Sequence, residues 1–169
     1  MSVVQNMNQF SQTPLKGDLA AVVSPSTLSA QVDATSMNTI VAGELVKLST
    51  ATGNSILVDS GAANTQNPLG FAIYSPKKDK FTSGNALEVA LSGSVIWLEA
   101  ASYISRGRSL EYVASGAKVR ASEGSNPVIG IALDNASAGQ LIRVLVSIEA
   151  YPSQSSSSSS SCSSSSSSS

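Results

Sequence analysis

The sequence predicts an all-β fold: a compact β-barrel or sandwich built from two similar half-units, preceded by an extended N-terminal arm. Three observations carry this. Short alternating apolar runs recur at regular spacing with Gly and Pro between them, the pattern of a sandwich or barrel. No stretch sustains a helical period of apolar residues. One strand-like motif occurs twice: Asn67-Pro68-Leu69-Gly70-Phe71-Ala72-Ile73 returns as Asn126-Pro127-Val128-Ile129-Gly130-Ile131-Ala132-Leu133, with one extra residue before the glycine. In each copy Leu69, Phe71 and Ile73, or Ile129, Ile131 and Leu133, fall on one face. Gly70 and Ala72, or Gly130 and Ala132, fall on the other, a bare face expected where a second sheet or another chain comes close.

Taken in order, residues 1–26 form the arm. Pro14, Gly17 and Pro25 interrupt it, and Leu19–Val23 is its only short strand candidate. From Thr27 the β signal starts: Thr27–Asp33 alternates, Ala42-Gly43-Glu44 turns into Leu45–Leu48, and Thr52-Gly53-Asn54 turns into Ile56–Val58. Asp59 to Asn67 reads as a loop before the first Asn-Pro strand. Ser83-Gly84-Asn85 turns into Leu87–Leu91, and Val95–Leu98 is a continuous apolar run that predicts a fully buried strand. Glu99–Ser102 is the one place where a helical turn fits. The second half repeats the first: Arg106-Gly107-Arg108 leads into Leu110–Val113, Ser115-Gly116 into Ala117–Arg120, and Ala138-Gly139-Gln140 into a last strand. There Ile142, Val144, Val146 and Ile148 face inward while Arg143 and Ser147 face out. The domain so defined spans 27–150. Residues 151–169 are nearly all serine and form a disordered tail that cannot pack a core.

Composition narrows the function. Among 169 residues there are 10 Lys and Arg, 11 Asp and Glu, and no His. Without histidine the usual general base, the usual imidazole ligand and the Ser-His or Cys-His pairings are missing. The carboxylates stand singly, with no spaced ligand set for a hard cation. The Thr50–Ser55 stretch lacks the Gly-Lys-Ser/Thr end of a phosphate loop and reads as a hairpin turn. No catalytic residue, metal or cofactor is therefore expected, nor a nucleic-acid partner, which would need clustered basic residues. The single cysteine, Cys162, excludes an intrachain disulfide. No signal peptide is visible and no apolar run approaches 18 residues, so no membrane partner is expected.

What remains is surface recognition. Met7, Phe10, Pro14, Leu15, Leu19 and Val22 are candidate anchors of the arm on a partner; a disordered terminus is the other reading of the same residues. Gly70, Ala72, Gly130 and Ala132 are candidates for a subunit interface, or equally for a tight contact within the chain. Lys77, Lys78 and Lys80 form the one basic cluster, either a solvated loop or a rim contact to an acidic neighbour that speeds encounter. Trp97 is assigned to the core, with an oligomer seam as the alternative.

Residues Ala42–Leu48, Pro68–Ala72, Ser83-Gly84, Gly93-Ser94-Val95, Ile129–Leu133 and Ala138–Val144 together resemble the small capsid cement, or head decoration, proteins of tailed phages, over roughly 38–148. The resemblance implies a β-rich virion protein, assembled in the host cytoplasm, that binds the outside of a finished head and cements neighbouring capsid subunits. It also implies the major capsid protein as partner and a homotrimer as the working form. The same fold signature is compatible with a phage tail or fibre component or a bacterial surface adhesin. A small enzyme is the third alternative, and the missing histidine argues against it.

Overall fold

The computed structural model describes residues 13–20, 25–35, 38–53, 55–65, 67–114 and 116–148. Met7, Phe10, Val22 and the serine-rich tail lie outside them. The described chain holds β1 (Thr27–Val32), β2 (Ile40–Val41), β3 (Leu45–Leu48), β4 (Leu57–Ser60), β5 (Pro68–Ala72), β6 (Lys80–Phe81), β7 (Ala86–Ala90), β8 (Val95–Ala100), β9 (Ser109–Val113), β10 (Lys118–Ala121), β11 (Val128–Ala132) and β12 (Leu141–Val146). No helix occurs among these residues, including at Glu99–Ser102, where Glu99 and Ala100 instead complete β8.

The strands close into two barrels, β1-β4-β3-β5-β7 and β10-β8-β12-β11-β9, with β2 and β6 forming a separate ribbon. The fold is thus all-β and made of two similar half-units, as the repeated strand implied. The likeness extends to individual bonds. β1 runs parallel to β4 and antiparallel to β7, and β8 runs parallel to β10 and antiparallel to β12. Gly43 N–H donates to the Ala72 carbonyl, and Gly107 N–H to that of Ala132, each 2.8 Å. Gly84 and Asn85 exchange bonds with Val32, and Gly139 and Gln140 with Ala100. Even the Ile40–Phe81 pair of the ribbon has a counterpart, the bridge between Ile104 and Ala136. Closure leaves neither barrel an open edge for another strand to extend.

The pairs β3–β5 and β9–β11 both carry a bulge just before the glycine of the repeated motif. A bulge inserts one residue and shifts the alternation. In the second copy Ile129 and Gly130 are therefore both buried, and Ile131 turns outward with 38% of its surface exposed. Placing Ile131 on the core face with Ile129 is thus corrected. A second correction concerns Val95–Leu98, which is not uniformly buried. Ile96, Leu98 and Ala100 fill the barrel, while Val95, Trp97 and Glu99 lie half-buried on its outer face.

Two apolar clusters result. One fills the first barrel, with Val32, Val46, Val58, Ala72, Leu87 and Val89. The other fills the second barrel, with Ile96, Leu98, Leu110, Val119, Ile142 and Val144, but it also takes in Leu45, Phe71, Ile73 and Ala90 from the first. Leu45, Phe71 and Ala90 are cross-strand partners on the outer face of the first barrel, so this row is the joint between the two halves. Phe71 meets Tyr112 edge to face, with ring centroids 6.2 Å apart, a favoured aromatic geometry.

Residues 16–20 strap the joint. Gly17 N–H donates to the Trp97 carbonyl and Trp97 N–H to that of Asp18; Ala20 N–H donates to Val95, and Leu19 bridges Ile96. The Gly17 carbonyl accepts from Tyr74 of the first half, and Lys16 Nζ donates to the Gly116 carbonyl at 2.9 Å. Gly17 adopts φ +88°, and a Cβ there would lie 2.8 Å from the Gly43 nitrogen, so the strap needs glycine where it crosses the Ala42–Gly43 turn. One further correspondence involves charge. Lys47 of β3 stands opposite Asp59 of β4, and at the equivalent place in the second barrel Glu111 stands opposite Arg120.

Candidate interaction surfaces

The charged groups inside the body have structural partners. Glu111 is fully buried on β9, and Arg120 reaches it through Nε and Nη2, both at 2.6 Å. Asn126 Nδ2 and the Glu123 N–H add longer bonds of 3.4 Å, so this carboxylate gathers the β10–β11 loop onto the barrel. Glu44 accepts from Val41 N–H at 2.8 Å and from the Ser60 hydroxyl at 2.5 Å. Asp33 accepts from the Ser49 hydroxyl and from both the N–H and hydroxyl of Thr35. Those bonds, Ser49 foremost, hold its carboxyl below the ordinary value and outweigh the opposing effect of burial. Burial, followed by the Glu44 charge, pushes the Tyr112 phenol well above its usual range, and a hydrogen bond from the Leu45 backbone offsets this in part. Among the described residues no group of three or more His, Cys, Asp or Glu could hold a metal ion.

The four small residues of the repeated strand are buried within the single chain, so they present no surface to a second subunit. Their need for small size is internal. A Cβ on Gly70 would overlap the Ala90 carbonyl oxygen of β7, and one on Gly130 would lie 2.5 Å from that of Leu145 on β12. Of the two readings offered by the sequence, the contact within the chain is the one the geometry supplies, and the subunit-interface assignment of Gly70, Ala72, Gly130 and Ala132 is withdrawn.

The arm candidates divide. Leu19 is partly buried against the second barrel's core and belongs to the fold. Pro14 is half-buried, and Leu15 is 46% exposed. Leu15 and Lys16 line a shallow groove of about 250 Å³ with Val41, Ala42, Tyr74, Asp79 and Lys80. On the other side of Tyr74 lies a larger groove of about 570 Å³, walled by Ile73, Phe81 and Leu87 and rimmed by Lys77, Lys78 and Glu88. All three lysines are exposed, and Lys78 Nζ is hydrogen-bonded to Asn85 Oδ1. The root of the arm and the basic loop, far apart in sequence, therefore share one side of the molecule.

Trp97 is a surface residue more than a core residue. Arg143 lies over its ring at 6.0 Å and is held there by a bidentate pair with Asp134, at 2.7 and 2.6 Å. Sequence reasoning missed four further exposed large apolar or aromatic side chains: Tyr103 at 67%, Leu48 at 57%, Ile56 at 41% and Ile131 at 38%. Leu48 and Ile56 flank the β3–β4 turn, and an apolar pair beside a Thr-Gly-Asn turn was the available signal.

No curated protein matches the chain. Among solved structures it is similar to the N base of head fiber gp8.5 of bacteriophage phi29, with 19% identity and a TM-score of 0.52. That likeness covers 73% of this chain and 95% of the other, and at this identity it is a likeness of fold. Residues 29–148, which take in both barrels, match the phage cement protein family. That match, running along nearly the whole of the duplicated barrel body, places the chain in the phage cement protein family, as a structural protein of the phage virion.

Proposed function

We propose that the protein binds the outer surface of an assembled phage head and cements neighbouring subunits of the major capsid protein, working as a homotrimer and without catalysis. The observation that carries this beyond family membership is the shared side formed by Leu15, Lys16, Lys80 and the Lys77–Lys78 loop around Tyr74. It offers apolar grooves with a basic rim beside the point where residues 1–12 join the body. Such a surface suits an acidic, partly apolar neighbour, with the charges raising the rate of encounter and the grooves slowing release. Binding only the assembled lattice stabilises that lattice by mass action, by about 2.7 kcal/mol per site at a hundredfold excess over Kd. Many such sites on one shell act together.

The test is binding to mature heads lacking the protein, followed by heating while DNA release is recorded. The intact chain raises the temperature of release. Removing residues 1–12, which leaves the strap in place, weakens head binding, and K77E/K78E/K80E slows association most at low salt. Heads that lose DNA at the same temperature with and without saturating protein would end the cementing reading.

A second reading is the base of a head fibre, favoured by the likeness to the phi29 head-fiber base. A base would bind heads yet leave their thermal DNA release unchanged, so the same experiment separates the two.

A further inference from the structure

The joint between the two barrels takes a different surface from each. The first barrel contributes the outer row Leu45, Phe71 and Ala90 across β3, β5 and β7. The second contributes the mouth at its β9–β10 hairpin, where Tyr112 and Ala117 are buried in the same cluster as that row. Because the two barrels share one strand order and register, each of these surfaces has a counterpart on the other barrel.

The second barrel's equivalent of the outer row is Ser109, Ile131 and Leu145, continued by Val95, all cross-strand partners in sequence across β9, β11, β12 and β8. In the first barrel the row is buried under its neighbour; here Ile131 is 38% exposed and Leu145 and Val95 are half-exposed. The first barrel's equivalent of the mouth is reached the same way. Leu48 pairs with Val58 as Tyr112 pairs with Val119, and Ile56 lies two residues before Val58 as Ala117 lies two before Val119. Leu48 and Ile56 are 57% and 41% exposed. Three of the largest exposed apolar side chains of the body therefore sit at the two unfilled halves of a joint that the chain already makes once.

We propose that a second copy of the chain fills both: the β11–β12 face of one copy seats on the β3–β4 mouth of the next, repeating the internal joint between molecules. The two surfaces differ, so the contact is heterologous and runs head to tail, closing into a ring if the rotation per copy allows. Apolar side chains at matched positions supply the occupant's chemistry, since the same face on the first barrel is covered by a barrel of this kind. The proposal rests on the self-association put forward above and adds the surfaces that make it.

The test uses the full chain with Ile131→Glu and Leu48→Glu, measured by sedimentation velocity and checked for folding by thermal unfolding. Each substitution alone is expected to weaken self-association by at least about tenfold. An equimolar mixture of I131E and L48E forms a two-chain complex, because one supplies an intact mouth and the other an intact face. If glutamate at either position prevents folding, Ile131→Thr and Leu48→Thr carry the same comparison. A parent chain that stays monomeric at high concentration overturns self-association and this joint together. A parent oligomer indifferent to both substitutions, or a mixture of folded variants that stays monomeric, overturns the joint and leaves self-association standing.

Discussion

At Gly70 and Gly130 the obstacle to any side chain is a carbonyl oxygen of the adjacent strand. A backbone atom cannot rotate aside as a side chain can, so relief requires the strands to part. Gly130→Val is expected to destabilise the fold by about 1–3 kcal/mol or more, and Gly70→Val by at least as much. Thermal unfolding checks this, with Gly139→Val as a control, since a Cβ on Gly139 meets open space and the substitution there suffers only the backbone strain of φ +81°. Asp33 and Asp134 contribute to acid stability. The bonds from Ser49 and Thr35 lower the pKa of Asp33, and those from Arg143 lower that of Asp134. A carboxylate with a depressed folded pKa contributes stability that is complete above its unfolded value, about 3.9, and disappears as pH falls through the folded value. Stability should therefore be flat above about pH 5 and decline below it, and D33N/D134N should be less stable at neutral pH but flatter in acid, as read by denaturant unfolding across pH. At this scale the glycines were legible as positions demanding small size. Which neighbour demanded it was not, because an intrachain strand and a second subunit leave the same mark on one sequence.

The strap shows how an element can be hidden by its composition. Residues 13–20 carry Pro, Gly and mixed polar residues and look like the end of a loose arm, yet Gly17, Asp18 and Ala20 bond to β8 while Gly17 also reaches Tyr74. Deleting residues 1–12 should leave the unfolding temperature unchanged. Deleting residues 1–20 should lower it by several degrees, because at least three inter-element hydrogen bonds of roughly 1 kcal/mol each are lost together with Leu19. Circular dichroism melts of the two truncations decide the matter; equal melts would mean that the strap holds nothing. The strands themselves were largely legible, since alternation and glycine turns mark β3, β7, β9 and β12 directly. The bulge before Gly130 was not, because inserting one residue into a pairing leaves the apolar order intact and changes only which face it serves. Ile131 and Trp97 were misassigned for that class of reason: their strands are apolar on both faces, and sequence alternation says nothing about which face the second barrel leaves open.

At the scale of the molecule, duplication explains both the fold and the family match, since two barrels of one plan account for residues 29–148 almost entirely. The two-fold plan was visible in the repeated Asn-Pro strand, although each half closes as its own barrel and does not contribute to a single shared one. The candidate surface around Tyr74 was not visible, because residues 15–16, 41–42 and 73–88 are brought together only by the strap and the β2–β6 ribbon.

A chain that carries the same barrel twice has to keep its copies apart while it folds, and the opposed charges of the β3–β4 and β9–β10 pairs bear on that problem. A strand β9 threaded into the first barrel would set Glu111 against Asp59, and β3 threaded into the second would set Lys47 against Arg120. Either mistake places like charges face to face, and in the second case also strips Glu111 of its place beside Arg120. The reversed polarity thus penalises either exchange of hairpins between the barrels. Giving the first barrel the second's polarity, with K47E/D59R, should leave the folded protein's melting temperature nearly unchanged. The yield on refolding from denaturant should fall, with the missing material recovered as misfolded or strand-exchanged species on size exclusion.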